Sequence, residues 1–219
     1  MSAPGSATFP LVGVFGGTFN PVHNGHLRSA LELVERLQLT QMRLMPSAQP
    51  PHRAAPHCSA AHRAAMVALA VAGEPRLASD MRELQRVGNS YTIDSLIELR
   101  GELGAGIGLC MVMGCDAVRE ITQWHRWQEL LDWAHIVVIA RPGWELPRTG
   151  EVAQWLEAHR VEDSRSLCQW SAGRIAVEEL RPLDISSTEI RDILAAGQSA
   201  RYLLPQSVLD YIQTNTLFR

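Results

Sequence analysis

Apolar positions along the chain fall into short continuous runs separated by stretches with helical spacing. Leu11-Val-Gly-Val-Phe15 is such a run, closed by Gly16-Gly17, and predicts a buried strand followed by a turn. Leu27, Ala30, Leu31, Val34 and Leu37 then recur three and four apart, which predicts a helix. Strand, glycine turn and helix open a βαβ unit. Met42–Met45 is the next strand candidate, followed by a proline-rich loop from Pro46 to Pro56 and an alanine-rich helix from about Ser59 to Ala72. A helix from about Thr92 to Leu103 precedes the strand Leu109–Met113, and a short helical stretch from Trp127 to Trp133 precedes the strand His135–Ala140. Arg174–Val177 is the last strand candidate, and helices of about Ser187–Ala196 and Pro205–Gln213 finish the chain. The polar stretch between Trp144 and Arg174 carries no pattern that assigns it.

Unbroken apolar strands alternating with helices predict an α/β fold, a doubly wound parallel sheet with a small C-terminal helical appendage over residues 186–219. One domain spanning 1–219 is expected, with residues 1–10 flexible. Ligands of such sheets sit beyond the carboxyl ends of the strands. The glycine-rich run Gly101–Gly108 precedes a strand instead of following one, so it reads as a helix end and a loop and not as a dinucleotide fingerprint.

With 46% hydrophobic and 20% charged residues and a formal net charge of -3, the chain has an ordinary globular composition and no basic excess for a nucleic-acid partner. The small, polar Met1–Pro10 stretch does not read as a signal peptide, and no segment approaches the roughly 18 apolar residues that span a bilayer. A cytoplasmic protein with no membrane partner is expected. Cys58, Cys110, Cys115 and Cys168 lack the spacing of a zinc or redox site and are expected to be free, mostly buried thiols.

Two segments carry chemistry. In Gly16-Gly-Thr-Phe-Asn-Pro-Val-His-Asn-Gly-His26 the glycines leave room for a phosphate against backbone amides, and Asn24 is placed to cap the following helix. His23 and His26, three apart on a first helical turn, present both rings to one side as phosphate donors; a metal pair or plain loop histidines are the other readings. No third ligand at a suggestive spacing supports a metal. In Ile185-Ser-Ser-Thr-Glu-Ile-Arg191, Ser186 and Glu189 match a capping box, while Ser187, Thr188 and Arg191 can gather hydroxyls and a guanidinium around an anion.

These two strings resemble the signatures of the nucleotidyltransferase superfamily. Between them, Pro50-Pro-His-Arg53, Tyr91-Thr-Ile-Asp-Ser-Leu96, Gly114-Cys-Asp116, Trp124-His125 and Ala140-Arg-Pro-Gly143 resemble segments of bacterial nicotinate-nucleotide adenylyltransferases. Asn20 stands where that family often carries Asp, and His125 where it often carries Tyr. The resemblance implies a Rossmann-like fold and adenylyl transfer from ATP to nicotinate mononucleotide, giving nicotinate adenine dinucleotide and pyrophosphate by direct in-line attack. It implies His23, His26 and Arg191 as catalytic groups, and Gly16, Gly17, Thr18, Phe19, Arg53, Ser186, Ser187 and Thr188 at the ATP phosphates. Arg53, behind two prolines, also reads as a plain solvated arginine. Asp116, directly after a strand, suits a ribose diol or a helix cap. Trp124 is placed to stack on a pyridine ring while Trp127, on the stripe with Leu130, Leu131 and Ala134, belongs to the core. Backbone near Thr92 and His125 would receive the nicotinate carboxylate. Mg2+ is expected with ATP, bound by few or no protein ligands. The alternatives are a phosphopantetheine-type adenylyltransferase and a non-catalytic nucleotide sensor; a homo-oligomer is compatible with the sequence.

Overall fold

The computed structural model describes residues 8–48, 58–86, 88–140, 144–181 and 183–219. Six strands, β1 (Leu11–Gly17), β2 (Gln41–Pro46), β3 (Leu77–Ser79), β4 (Gly108–Gly114), β5 (His135–Ala140) and β6 (Ile175–Glu179), form one sheet in the order β3-β2-β1-β4-β5-β6. The helices are α1 (Asn24–Leu37), α2 (Ala60–Val71), α3 (Arg82–Gln85), α4 (Thr92–Leu103), α5 (Cys115–Arg119), α6 (Leu130–Trp133), α7 (Glu151–His159), α8 (Ser187–Ala195) and α9 (Gln206–Thr214). Strand order runs outward from β1 in both directions, so the fold is the expected α/β, Rossmann-like one, with helices at its C-terminal end. Among the described residues no helix is long and apolar enough to cross a membrane.

The chain divides into two compact units. The first takes Met1–Val14, Leu33–Gln41 and Tyr91–Leu180. In it β4, β5 and β6 pair in parallel, with Cys110 opposite His135 and Val137 opposite Ala176. Leu109–Met113 and His135–Val138 are buried without alternation, as strands covered on both faces must be. Trp127, Leu130, Leu131 and Ala134 are buried as the predicted stripe, and Trp127 meets the ring of Trp155 edge-on. The glycine-rich run is a helix end and a loop. Gly104, at φ 76, donates its N–H to the Arg100 carbonyl. The Arg100 guanidinium then donates to the carbonyls of Gly104, Ile107, Trp133 and Ser171, closing the loop around one cation.

The second unit takes Phe15–Glu32, Met42–Ser90 and Arg181–Arg219. Here β2 pairs with β3 in parallel, and α2 begins where the Ser59 hydroxyl accepts the His62 N–H. Helix α2 buries Met66, Val67 and Val71, and its His62 ring is 2.9 Å from the Tyr211 hydroxyl of α9. Cys58 and, in the first unit, Cys110 and Cys115 are buried, and all four cysteines are free. Burial pushes the Cys110 thiol up to about 12.

Four elements were not foreseen. The three-residue β3 buries only Leu77, α3 is a single turn and α5 has five residues, so none of them leaves a periodic trace. Helix α7 lies in the unassigned polar stretch and buries just two neighbours, Trp155 and Leu156, among charged residues. Residues 1–7 of the expected flexible leader, most of the proline-rich loop and Arg141-Pro-Gly143 lie outside the described residues.

Inside the first unit, His135 is wholly buried on β5. Its Nδ1 accepts the Arg174 N–H and its Nε2–H donates to the Trp170 carbonyl, so only the neutral ring satisfies both bonds. Burial lowers its pKa to about 4. The unfolded chain, with a histidine pKa near 6.5, therefore binds the proton first, and stability is full above that pH and drains as the pH falls toward 4. Urea unfolding at pH 7, 5 and 4 should show a progressive loss to which His135 contributes on the order of 3 kcal/mol. In His135→Gln that part of the pH dependence should be absent.

Candidate functional site

β1 ends in Gly16-Gly17, and the chain passes through Thr18-Phe19-Asn20-Pro21 into α1. A Cβ on Gly17 would come within 3.1 Å of the Phe19 ring, whereas one on Gly16 would meet open space. Gly17 thus serves packing, and Gly16 leaves bare backbone. Phe19 is buried and turns its ring edge-on to His26, with centroids 5.0 Å apart. Asn20 is also buried, its Oδ1 accepting the Cys58 thiol.

The His23 carbonyl starts α1 by accepting the N–H groups of His26 and Leu27. Asn24 does not act as the expected cap. Its side-chain amide donates to the Tyr202 carbonyl and its main-chain N–H to the Leu203 carbonyl, so it fastens the helix start to the turn before α9.

The His23 and His26 rings stack at 3.7 Å with a 32° tilt, on one side as the spacing requires. Burial lowers the His23 pKa to about 4 and that of His26, which also feels His23, to about 3. Both rings are therefore neutral at physiological pH. Two charges at this separation would repel by about 4 kcal/mol at an effective dielectric constant of about 20. The His26 Nδ1 accepts the His23 N–H at 3.3 Å, which puts the proton of the neutral ring on Nε2. The buried His23 Nδ1 has no hydrogen-bond partner.

The second signature docks on this loop. Ser186 caps α8 by accepting the Glu189 N–H, as the capping pattern predicted. The Ser187 hydroxyl, expected to face an anion, donates to the Pro21 carbonyl at 2.9 Å. Arg191 donates through Nη1 to the Asn20 carbonyl at 2.9 Å and through Nη2 to the Thr188 hydroxyl at 3.2 Å. A Cβ on Gly25 would lie 3.0 Å from the His23 ring and 3.6 Å from the Ile185 carbonyl, so the glycine keeps the gap where the two signatures meet. His23, His26, Arg191, Gly16, Gly17, Thr18, Phe19 and Ser186–Thr188 all belong to the second unit.

The remaining candidates belong to the first unit. Thr92 opens α4, and the ring of its neighbour Tyr91 stacks on His125, with centroids 4.4 Å apart. Asp116 occupies the first turn of α5, directly after β4. Trp124 follows the single 3-10 turn Ile121–Gln123 and is half-buried. Arg53 lies outside the described residues. Among the described residues no group of three or more His, Cys, Asp and Glu could hold a metal ion.

Arg63 was missed. It is 1% exposed on α2 and donates to the carbonyls of Thr18 and Ser47. Its signal was available in the sequence: it shares the apolar stripe of Met66 and Val67, where a charge is out of place.

Residues 14–193 match the cytidylyltransferase-like family model. Probable nicotinate-nucleotide adenylyltransferases of Aeromonas hydrophila and Cellvibrio japonicus are 48% and 49% identical over 210 residues, covering 96% of this chain and 98% and 99% of their own. The chain belongs to the nicotinate-nucleotide adenylyltransferase family. The fold likeness extends further: the nicotinic acid mononucleotide adenylyltransferase of Plasmodium falciparum, solved with NaAD, superposes with a TM-score of 0.69 at 15% identity over 95% of this chain and 97% of that one.

As a nucleotidyltransferase of this family, the enzyme should be sensitive to the gap at Gly25. Gly25→Ala must push the His23 ring by a few tenths of an ångström, and rate falls steeply when a group that touches substrate is misplaced. The variant should fold, shift the His23 ring resonances in an NMR spectrum while leaving those of His135 in place, and lose at least about tenfold in turnover. Unmoved His23 signals would show that the ring has room to spare.

Proposed function

We propose that the enzyme transfers the adenylyl group of ATP to nicotinate mononucleotide, releasing pyrophosphate and supplying a step of NAD biosynthesis. The observation that carries this reading is the docking of Arg191 and Ser187 onto the loop that carries the stacked histidines, within a chain about half identical to the adenylyltransferases of its family. The phosphate of the mononucleotide is already ionised and attacks the α-phosphorus as the bond to pyrophosphate breaks. No protein base and no covalent intermediate are required, and rate comes from alignment and charge stabilisation.

The electrostatics divide the work. Neutral His23 and His26 donate hydrogen bonds from N–H groups without bringing charge, and the Nε2–H of His26 is ready to do so before substrate arrives. Arg191 supplies the fixed positive charge. Gly16, Gly17, Thr18 and Phe19 offer the backbone that lies against the phosphates, with Ser186, Ser187 and Thr188 at the N-terminus of α8 and Arg53 reaching over the triphosphate. The docking bond of Ser187 leaves its main-chain N–H, not its hydroxyl, for that task. Mg2+ would accompany ATP and would supply positive charge at the triphosphate, with few or no ligands from the protein.

On the acceptor side, Asp116 takes a ribose diol, Trp124 stacks on the pyridine ring, and main chain near Thr92 and His125 receives the carboxylate. The Tyr91–His125 stack supports that last role by holding the start of α4 against the 125 turn.

His26→Ala should keep its fold by circular dichroism and lose about a hundredfold to a thousandfold in turnover, the usual effect of deleting one transition-state donor. Pyrophosphate release with ATP, Mg2+ and each of nicotinate mononucleotide, nicotinamide mononucleotide and phosphopantetheine should favour the first. Preference for phosphopantetheine would assign the enzyme to that rival type, and binding without release would make it a sensor.

A further inference from the structure

Two buried charges stand apart from both signatures. Arg63 on α2 is 1% exposed and its Nη1 donates to the Thr18 carbonyl at 2.8 Å and the Ser47 carbonyl at 2.7 Å. Glu83 on α3 is 7% exposed, and its Oε2 accepts the Ala48 N–H at 3.2 Å. The Ser47 N–H in turn donates to the Gly17 carbonyl at 2.8 Å. Main chain leaving β1 and main chain leaving β2 are thus knitted together, with one guanidinium bonded to both and one carboxylate holding the next amide.

This is a costly way to fasten two loops. Taking a guanidinium and a carboxylate out of water costs several kcal/mol each, and well-packed apolar residues of the same volume often give equal or greater stability. The Arg63 Nε, moreover, is buried with no partner. The arrangement is better suited to fixing a geometry than to stabilising a fold.

We propose that Arg63, with Glu83 holding the adjacent Ala48 amide, is a positioning residue that sets the Gly17–Thr18 turn against the end of β2 and so shapes the seat of the ATP phosphates. The inference rests on the phosphate reading of that turn given above. Arg63 need not touch the nucleotide: its two bonds go to carbonyls, and they fix the direction in which the intervening backbone faces.

Calorimetric titration with Mg-ATP alone and steady-state kinetics test this in wild type, Arg63→Met, Arg63→Lys and Glu83→Gln, each checked by circular dichroism and thermal melting. Arg63→Met should weaken ATP binding and raise KM for ATP about tenfold or more, with KM for the mononucleotide changed by less than about twofold. Arg63→Lys keeps the charge and should recover part of the loss. Glu83→Gln keeps an acceptor oxygen and should show a smaller shift in the same constant. A lowered melting temperature with an unaltered KM for ATP per active molecule would mean ordinary structural support and overturn the proposal. Should Arg63→Met fail to fold, the KM for ATP in the other two variants decides by the same rule. If wild type does not bind Mg-ATP, the phosphate reading falls and takes this inference with it; if wild type and variants bind alike, only the inference falls.

Discussion

Two hydrogen bonds to main-chain carbonyls join segments that are 166 and 171 residues apart in the chain: Ser187 to Pro21 and Arg191 to Asn20. Without them the two signatures would be separate loops, and the guanidinium would have no fixed relation to the imidazoles. Each bond uses a charged or hydroxyl donor against a carbonyl that the turn has left without a ladder partner. The acceptors exist because the chain at Phe19 to Pro21 runs as a loop and not as strand or helix. The irregularity of the loop is what allows the docking.

The histidine pair illustrates how burial decides chemistry. Taken alone, two imidazoles three residues apart suggest a cationic trap for phosphate. Packed face to face beside Phe19, they lose their affinity for protons, and the second charge becomes harder to place than the first. The positive charge docked on this loop belongs to the guanidinium of Arg191, which donates to the Asn20 carbonyl and the Thr188 hydroxyl. Both imidazoles stay neutral near neutral pH, and charge on this loop is carried by a different side chain.

The sequence made most of this visible where side-chain pattern and local geometry agree. Unbroken apolar runs marked β1, β4 and β5, and Met42–Met45 and Arg174–Val177 marked β2 and β6 even though each includes an arginine. The capping pair Ser186 and Glu189 marked the start of α8 to the residue. What escaped detection depended on partners far along the chain. Asn24 looks like a cap to its own helix, and only the presence of Tyr202 and Leu203 reveals its real acceptors. Ser187 looks free until Pro21 is brought beside it. Arg63 shows its burial in the stripe it shares with Met66 and Val67, but not its bonds, because its two carbonyl partners come from other loops. Helix α7 and strand β3 bury too few side chains to imprint a period.

The docking contacts have a further implication for how the loop can vary. Every amino acid brings the same carbonyl oxygen, so the attachments of Arg191 and Ser187 are blind to the side chains at positions 20 and 21. Aspartate at position 20 would bring the same carbonyl to Arg191 that asparagine does. Drift in this stretch is read by the neighbours that pack on it, such as the thiol of Cys58, while the joint between the two signatures survives it.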